Sequence, residues 1–389
     1  MRVRVLPGLC ALLLAWVPAW ATDYVPTRQD WAQIAPEAAG FDPARLADAV
    51  AWAQAHGEQA PADLREALEA SFGPKEPGYR ILGPVGRRGT ANGVVLHGGR
   101  IVAEWGDTTR AEMTFSVAKS VLSVVAGLAY DDGLLPDPAQ RVSMQVQGPW
   151  FDGAHNGAIT WDHLLHQTSD WSGTLWDTPD WADRPEGDDP ARRPLHAPGT
   201  RYKYNDVRVN LLALALLELR REPLPVTLKQ RVMDPVGASA TWRWHGYENS
   251  WTVLDGLRMQ SVSGGGHFGG GLFISMRDLA RFGLLLQRDG QWQARRLLSA
   301  DWIERSLRPS PVKPDYGYLW WLNTGRQAIP AAPESAFWAA GFGGNHVYVD
   351  RTHDLVIVAR WTPDLAGLVT RVLAAHQDAA APSEAPVAR

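Results

Sequence analysis

Cysteine is nearly missing from this chain: one in 389 residues, at position 10. No intramolecular disulfide can form, and neither a cysteine-rich metal site nor a disulfide framework is available. A basic excess is missing too. Thirty-eight Lys and Arg stand against 42 Asp and Glu, a net charge of −4, and no segment concentrates the cations. That argues against nucleic acid or an anionic membrane surface as a partner. No stretch reaches the length of a comfortable membrane span. No internal period of 20–50 residues points to a repeat architecture. The G-x-S-x-G turn of the α/β-hydrolases is also absent.

What is present begins with a leader. Arg2 and Arg4 form a basic n-region, Leu9 to Val17 an apolar h-region, and Ala19-Trp20-Ala21 an A-x-A cleavage signal. Residues 1–21 therefore read as a signal peptide and the protein as periplasmic or secreted, with no membrane association after cleavage. Cys10 leaves with the leader, so thiol catalysis is excluded in the mature chain. Leu9 stands where a small residue usually precedes a lipid-modified cysteine, which argues against an anchor there. The Ala/Pro-rich residues 378–389 read as a disordered tail.

Between these ends the composition is ordinary for a globular protein, 45% hydrophobic and 21% charged. Residues 22–377 read as one catalytic domain. The periodicity predicts a helix at 43–56, then a β-hairpin over Ala91–Asp107 turning at His97-Gly98-Gly99. An apolar helix follows Ser116, another covers Val209–Arg221, and a third Asp278–Leu286. Strands return in "YGYLWWLN", "NHVYVD" and "DLVIVARW", and "GLVTRVLAAHQ" closes as a helix. Strands at both ends with a helical middle, about 121–245, predict an α+β fold. Its antiparallel sheet would be assembled from distant segments, flanked by helices, with a helical region inserted.

The chemistry-bearing stretch is "TFSVAKSVLSVVAGLAYDDG", Thr114–Gly133. Lys119 stands three residues after Ser116 in a segment that is otherwise apolar, so the two side chains share one face. A lysine in a first helical turn opposes the helix dipole by roughly 0.3–1 kcal/mol. A local rule broken without structural gain marks a functional position. Downstream, "APGTRYKYNDVRVNLLALALL" sets Tyr204 and Asp206 at the entrance of a leucine-rich helix.

These elements together resemble the β-lactamase-related serine hydrolases. That group includes class C β-lactamases, penicillin-binding D-Ala-D-Ala carboxypeptidases, related esterases and hydrolases of aminohexanoate oligomers. "ITWDHLLHQTSDW", "GGLFISMRDLARFGLLL" and "AAGFGGNHVYVDRTHDLVIVARW" are similar to further family segments, so the likeness runs from about Gly93 to Trp361. The resemblance implies Ser116 as nucleophile, Lys119 as its activating partner and Tyr204 as second member of the proton-transfer network. It implies an oxyanion site at the amide of Ser116 and that of Phe342, after Gly341. No cofactor or metal is implied. An unperturbed phenol is a poor base at neutral pH, and whether Lys119 or Tyr204 takes the proton is left open.

Departures from the pattern are informative. Ala339-Ala340-Gly341 stands where class C enzymes have Lys-Thr-Gly, and Asp206 where they have an asparagine that contacts the substrate, so the resemblance implies Asp206 as a substrate-binding residue. The irregular stretch Ser172–Thr200, which borders the pocket in relatives, adds Asp177, Asp180, Asp183, Glu186, Asp188 and Asp189. The expected substrate is a neutral or amine-bearing small-molecule ester or amide. Esterase or amide-oligomer hydrolase ranks first, D-amino-acid peptidase second and β-lactamase third. A penicillin-binding sensor that stays acylated is the competitor from outside enzymology.

Other motifs have plainer readings. "GGGHFGGG" holds Gly264-x-Gly266-x-x-Gly269 but not in a strand-to-helix turn, so a close-packed loop is expected rather than a dinucleotide site. Its His267 is a candidate pocket residue beside the plainer reading of an ordinary loop histidine. His163 and His166 lack a third ligand and read as structural. Trp171 replaces the asparagine that would complete a Ser-Asp-Asn motif. Lys203, alternating with Tyr202 and Tyr204, should point away from the site.

Overall fold

Two glycines turn the first hairpin. Gly98 and Gly99 both have positive φ (57° and 75°), the pair of left-handed residues that a tight two-residue turn requires. The computed structural model describes residues 24–377, so the expected leader and tail lie outside the described residues. Before the hairpin come helix α1 (Pro43–Ala55), N-capped by Asp42, and α2 (Leu64–Phe72), N-capped by Asp63. The hairpin is β1 (Asn92–His97) and β2 (Arg100–Trp105). Next come the short strand β3 (Glu112–Met113), α3 (Val117–Asp131) and α4 (Asp206–Arg220). Strands β4 (Arg243–His245) and β5 (Gly271–Ile274) precede α5 (Met276–Gln287). The chain ends in β6 (Trp321–Leu322), β7 (Phe337–Gly341), β8 (Asn345–Asp350), β9 (Leu355–Arg360) and α6 (Leu365–Ala375).

The main sheet has six antiparallel strands in the order β6-β7-β8-β9-β1-β2. Its middle joins the two ends of the chain: Val95 of β1 lies opposite Ile357 of β9. Both faces are covered, and period-two alternation sorts the side chains between them. Val94, Leu96, Val347, Val349, Val356 and Val358 enter one core with α3, α4 and α5. Val95, Tyr348, Ile357 and Ala359 enter another with α1 and α6. A second, three-stranded sheet has the order β3-β5-β4, and its β3 leads into α3. Buried Arg360 at the end of β9 ties the two sheets, donating to the carbonyl of Ile274 in β5 at 2.7 Å and to Asn345 Oδ1 at 3.0 Å.

Among the strand expectations, "YGYLWWLN" contributes only Trp321–Leu322; buried Tyr316, Tyr318 and Trp320 pack as an irregular segment instead. The helix α2 was not expected, and it matters because the loop after it reaches the site.

Candidate active site

Ser116 sits where β3 gives way to α3. Phe115, just before it, is held at φ 51°, a left-handed conformation that a bulky residue adopts only when its surroundings impose it. The Phe115 ring is buried against Phe342 (5.2 Å between centroids) and Trp361 (6.3 Å). Ser116 is the residue flanking α3, but its hydroxyl makes no capping bond. It is free for another partner, and that partner is Lys119, whose Nζ donates to Ser116 Oγ at 2.9 Å.

Lys119 is almost wholly buried (2% of its side chain exposed) and makes an ion pair with Asp206 Oδ1 at 2.5 Å. Desolvation would push the ammonium down, but the Asp206 charge and hydrogen bond outweigh it and hold it above the ordinary lysine value. Burial alone would likewise raise Asp206; Lys119, then His267 and Arg184, pull it down to about 2. The pair is therefore ionised, and Lys119 stands as an ammonium.

Asp206 is the first residue of α4, at the positive end of its dipole. Asn205 fixes that helix entrance. Its side chain accepts from Arg208 N–H and donates to the Asp180 carbonyl, while its own N–H donates to Gln167 Oε1. The other Asp206 oxygen accepts from the His267 N–H at 3.0 Å. Room for this pair depends on Gly265, where a methyl group would collide with both Lys119 Nζ and Asp206 Oδ2. "GGGHFGGG" is thus the close-packed loop expected.

Around Ser116 opens a pocket of about 690 Å³, whose lining includes Tyr204, Asp206, His267, Gly341 and Phe342. Every sequence-derived candidate except Lys119 faces it, and Lys119 lies beneath, bonded to Ser116. Tyr204 stacks on Trp321 (6.2 Å), with Lys119 Nζ 4.6 Å and Arg184 Cζ 5.0 Å from its ring centroid. Gly341 presses on the Thr114–Ser116 backbone; a Cβ there would lie 3.2 Å from Ser116 N. The end of strand β7 thereby runs beside the start of α3. His267 is more than a loop histidine. Its ring is buried, bonded through Nε2 to Glu76 Oε2 at 2.6 Å and packed on Phe72 at 4.1 Å. Desolvation lowers it, yet Asp183, Glu76 and Asp206 leave it above the ordinary histidine value.

Sequence reasoning missed Phe72, Lys75, Glu76, Arg184 and Trp321, and read Asp183 only as one acid of the stretch bordering the pocket. Glu76 and Asp183 with His267 place their ligand atoms within 4.8 Å of one another. Asp183 already accepts from Arg184 and from the Asp206 N–H, and Glu76 holds the histidine. The trio therefore reads as a compensated charge cluster backing Asp206.

The expected acidic rim is corrected. Asp180 is buried on Arg193 and Arg208, Glu186 pairs with Arg201 and Lys203, and Asp177 accepts from Asn249. Buried carboxylates need counter-charges: Asp180 finds Arg193 in the same stretch and Arg208 on α4, and Asp183 finds Arg184. None of its six acids lines the pocket; Arg184 does. Lys203 points away as expected, its Nζ on the Arg184 carbonyl. His163 caps its own helix, His166 bonds Asp162, and Asp170 pairs with Arg193 and Arg208, all structural roles.

With this geometry in place, comparison with known proteins is informative. Residues 81–373 match the family model described as Beta-lactamase. No curated protein matches in sequence. Among solved structures, a putative 6-aminohexanoate-dimer hydrolase from Bacillus anthracis superposes with a TM-score of 0.56 at 16% identity, covering 91% of this chain and 88% of that one. A family VIII carboxylesterase gives 0.55 at 18% identity, covering 81% and 96%. A penicillin-binding protein homologue from Caulobacter crescentus gives 0.55 at 16%, covering 86% and 97%. At such identities these likenesses speak for the fold alone.

Proposed function

Since the chain belongs to the Beta-lactamase family, we propose that it is a serine hydrolase cleaving small esters or amides through an acyl-enzyme on Ser116. One observation carries the reading: a half-buried serine hydroxyl on the pocket floor, bonded to a buried ammonium at 2.9 Å. In the first step Ser116 Oγ bonds to the carbonyl carbon and loses its proton. The carbonyl π electrons move onto oxygen, where the N–H groups of Ser116 and Phe342 would receive them. Collapse expels the leaving alcohol or amine, which takes up a proton. Water then attacks the acyl-enzyme by the same route and frees Ser116.

The Asp206 contact supports one assignment of the proton. A lysine held as an ammonium donates to Oγ and stabilises the forming alkoxide, but it has no lone pair to act as base. Tyr204, on the pocket wall with its ring centroid 4.6 Å from Lys119 Nζ, is the proposed acceptor: as its phenolate it would take the Ser116 proton and, as the phenol so formed, return it to the leaving group. The aromatic walls, Phe72, Phe115 and Phe342 with Tyr202 and Trp321, suit an apolar or aryl portion of the substrate. Relatives in fold named as a carboxylesterase and an aminohexanoate-dimer hydrolase are consistent with this class.

The test is intact-mass spectrometry after a fluorophosphonate probe. One adduct is expected on the wild type and none on Ser116→Ala; equal labelling of the variant would overturn the assignment. Steady release of nitrophenol beyond one equivalent separates a hydrolase from a sensor that stops once acylated.

A further inference from the structure

We propose that the pocket selects substrates carrying a carboxylate near the scissile carbonyl, and that Arg184, with Lys75 lining the same pocket, recognises that carboxylate. The inference deepens the hydrolase reading above and rests on it. It replaces the preference for amine-bearing substrates that the acidic stretch suggests in sequence.

Arg184 is held in place more firmly than a surface arginine would be. Its φ is 52°, a left-handed conformation rare for a residue of that size. Its N–H donates to Glu76 Oε1 at 3.2 Å and its carbonyl accepts from Lys203 Nζ. Nη1 bonds Asp183, and the guanidinium carbon lies 5.0 Å from the Tyr204 centroid. The side chain still keeps 42% of its surface exposed and lines the cavity that contains Ser116. A guanidinium has five N–H donors in a fork that fits a carboxylate, and Asp183 uses only part of it.

Asp183 is not a private counter-ion. It also accepts from the Asp206 N–H and lies 3.6 Å from His267 Nε2. Asp206, the only acid on the pocket wall among the described residues, is consumed by Lys119. Lys75 is exposed on the same wall and has no ion-pair partner among the described residues. The charges a ligand meets are therefore cationic, and they come from the loop after α2 and the stretch before Tyr204. The β7 position where a class C enzyme would carry its lysine is Ala339.

The experiment compares kcat/KM for matched nitrophenyl esters, each divided by its hydroxide-catalysed rate. 4-Nitrophenyl hydrogen glutarate carries the anion on the acyl side, and 3-carboxy-4-nitrophenyl pentanoate on the alcohol side. 4-Nitrophenyl pentanoate is the neutral reference and its 5-trimethylammonio derivative the cationic one. At least one anionic ester should exceed the neutral by tenfold or more, mostly through KM, and that ratio should shrink with added salt. Arg184→Met should bring the ratio towards one, Arg184→Lys should retain part of it, and Arg184→Glu should favour the cationic ester. Turnover with no anionic preference, or a preference unchanged in Arg184→Met, overturns this proposal and leaves the hydrolase reading standing. No turnover and no acylation of Ser116 by any ester overturns both.

Discussion

A lysine three residues after a serine can be read from spacing; the carboxylate that decides its charge cannot. Asp206 lies 87 positions further on. The sequence places it at a helix entrance, but only the fold brings that entrance under α3. Read as a substrate contact, Asp206 proves to be the counter-ion of Lys119, which a resemblance to an asparagine-bearing family had hidden. Asp206→Asn leaves a buried ammonium unpaired, and removing one partner of such a pair destabilises by about 3–5 kcal/mol. The pH dependence follows from the signs. Asp206 is pulled from 3.8 to about 2 on folding, so its contribution is fully present above pH 3.8 and lost as pH falls towards 2. Lys119 is raised above 10.5, so its contribution holds below that pH and fades as pH rises through the folded value. The Tm gap between wild type and Asp206→Asn should then be full near pH 5, narrow below pH 3.8, and narrow again on the alkaline side once the variant's unpaired Lys119 sheds its proton. A gap that does not narrow on acidification would mean the pair is not ionised as described.

At the scale of elements, periodic segments were the legible ones. The hairpin, α1, α4, α5 and α6 carry their own local signals: turn glycines, caps, and apolar stripes or uniformly apolar runs. Glu76, Arg184 and Trp321 belong to irregular segments whose positions are set by tertiary contacts, and no local pattern announces them. The same holds for the joint between the sheets. Arg360 occupies a strand position in "DLVIVARW" where an apolar residue would be expected, yet it is wholly buried. Burial pulls its guanidinium down to about 10, with Glu112, 3.9 Å away, acting the other way. Its bonds to the Ile274 carbonyl and Asn345 hold β9 against β5, and β5 pairs with β3, which leads into Ser116. Arg360→Met keeps much of the volume but removes those donors, while Glu112 keeps Arg110 and the N–H groups of Gly89 and Trp361. A loss of about 1–3 kcal/mol in denaturant unfolding is expected from the acceptors left unpaired, together with slower fluorophosphonate labelling of Ser116. Unchanged labelling in a folded variant would show that the joint does not position the nucleophile.

For the whole molecule, the sheet closed from both chain ends was foreseeable, because strands at each end without partners of their own must find one another. How such a chain stays folded without disulfides follows from its interior. Trp161, Trp171, Trp302, Trp320 and Trp361 are all fully buried. Each removes roughly 200 Å² from water, an upper estimate of about 5 kcal/mol apiece. A disulfide contributes about 2–4 kcal/mol, so one such tryptophan matches it. An exported protein of this size can therefore dispense with cysteine, and export is what we propose from the leader pattern of residues 1–21. Protein recovered from the periplasm or medium of an expressing bacterium should have an intact mass lacking those residues. Its Tm should be the same with and without reductant, because the mature chain would contain no thiol. A recovered chain that still begins at Met1, or a reductant-sensitive dimer joined through Cys10, would overturn cleavage at this site.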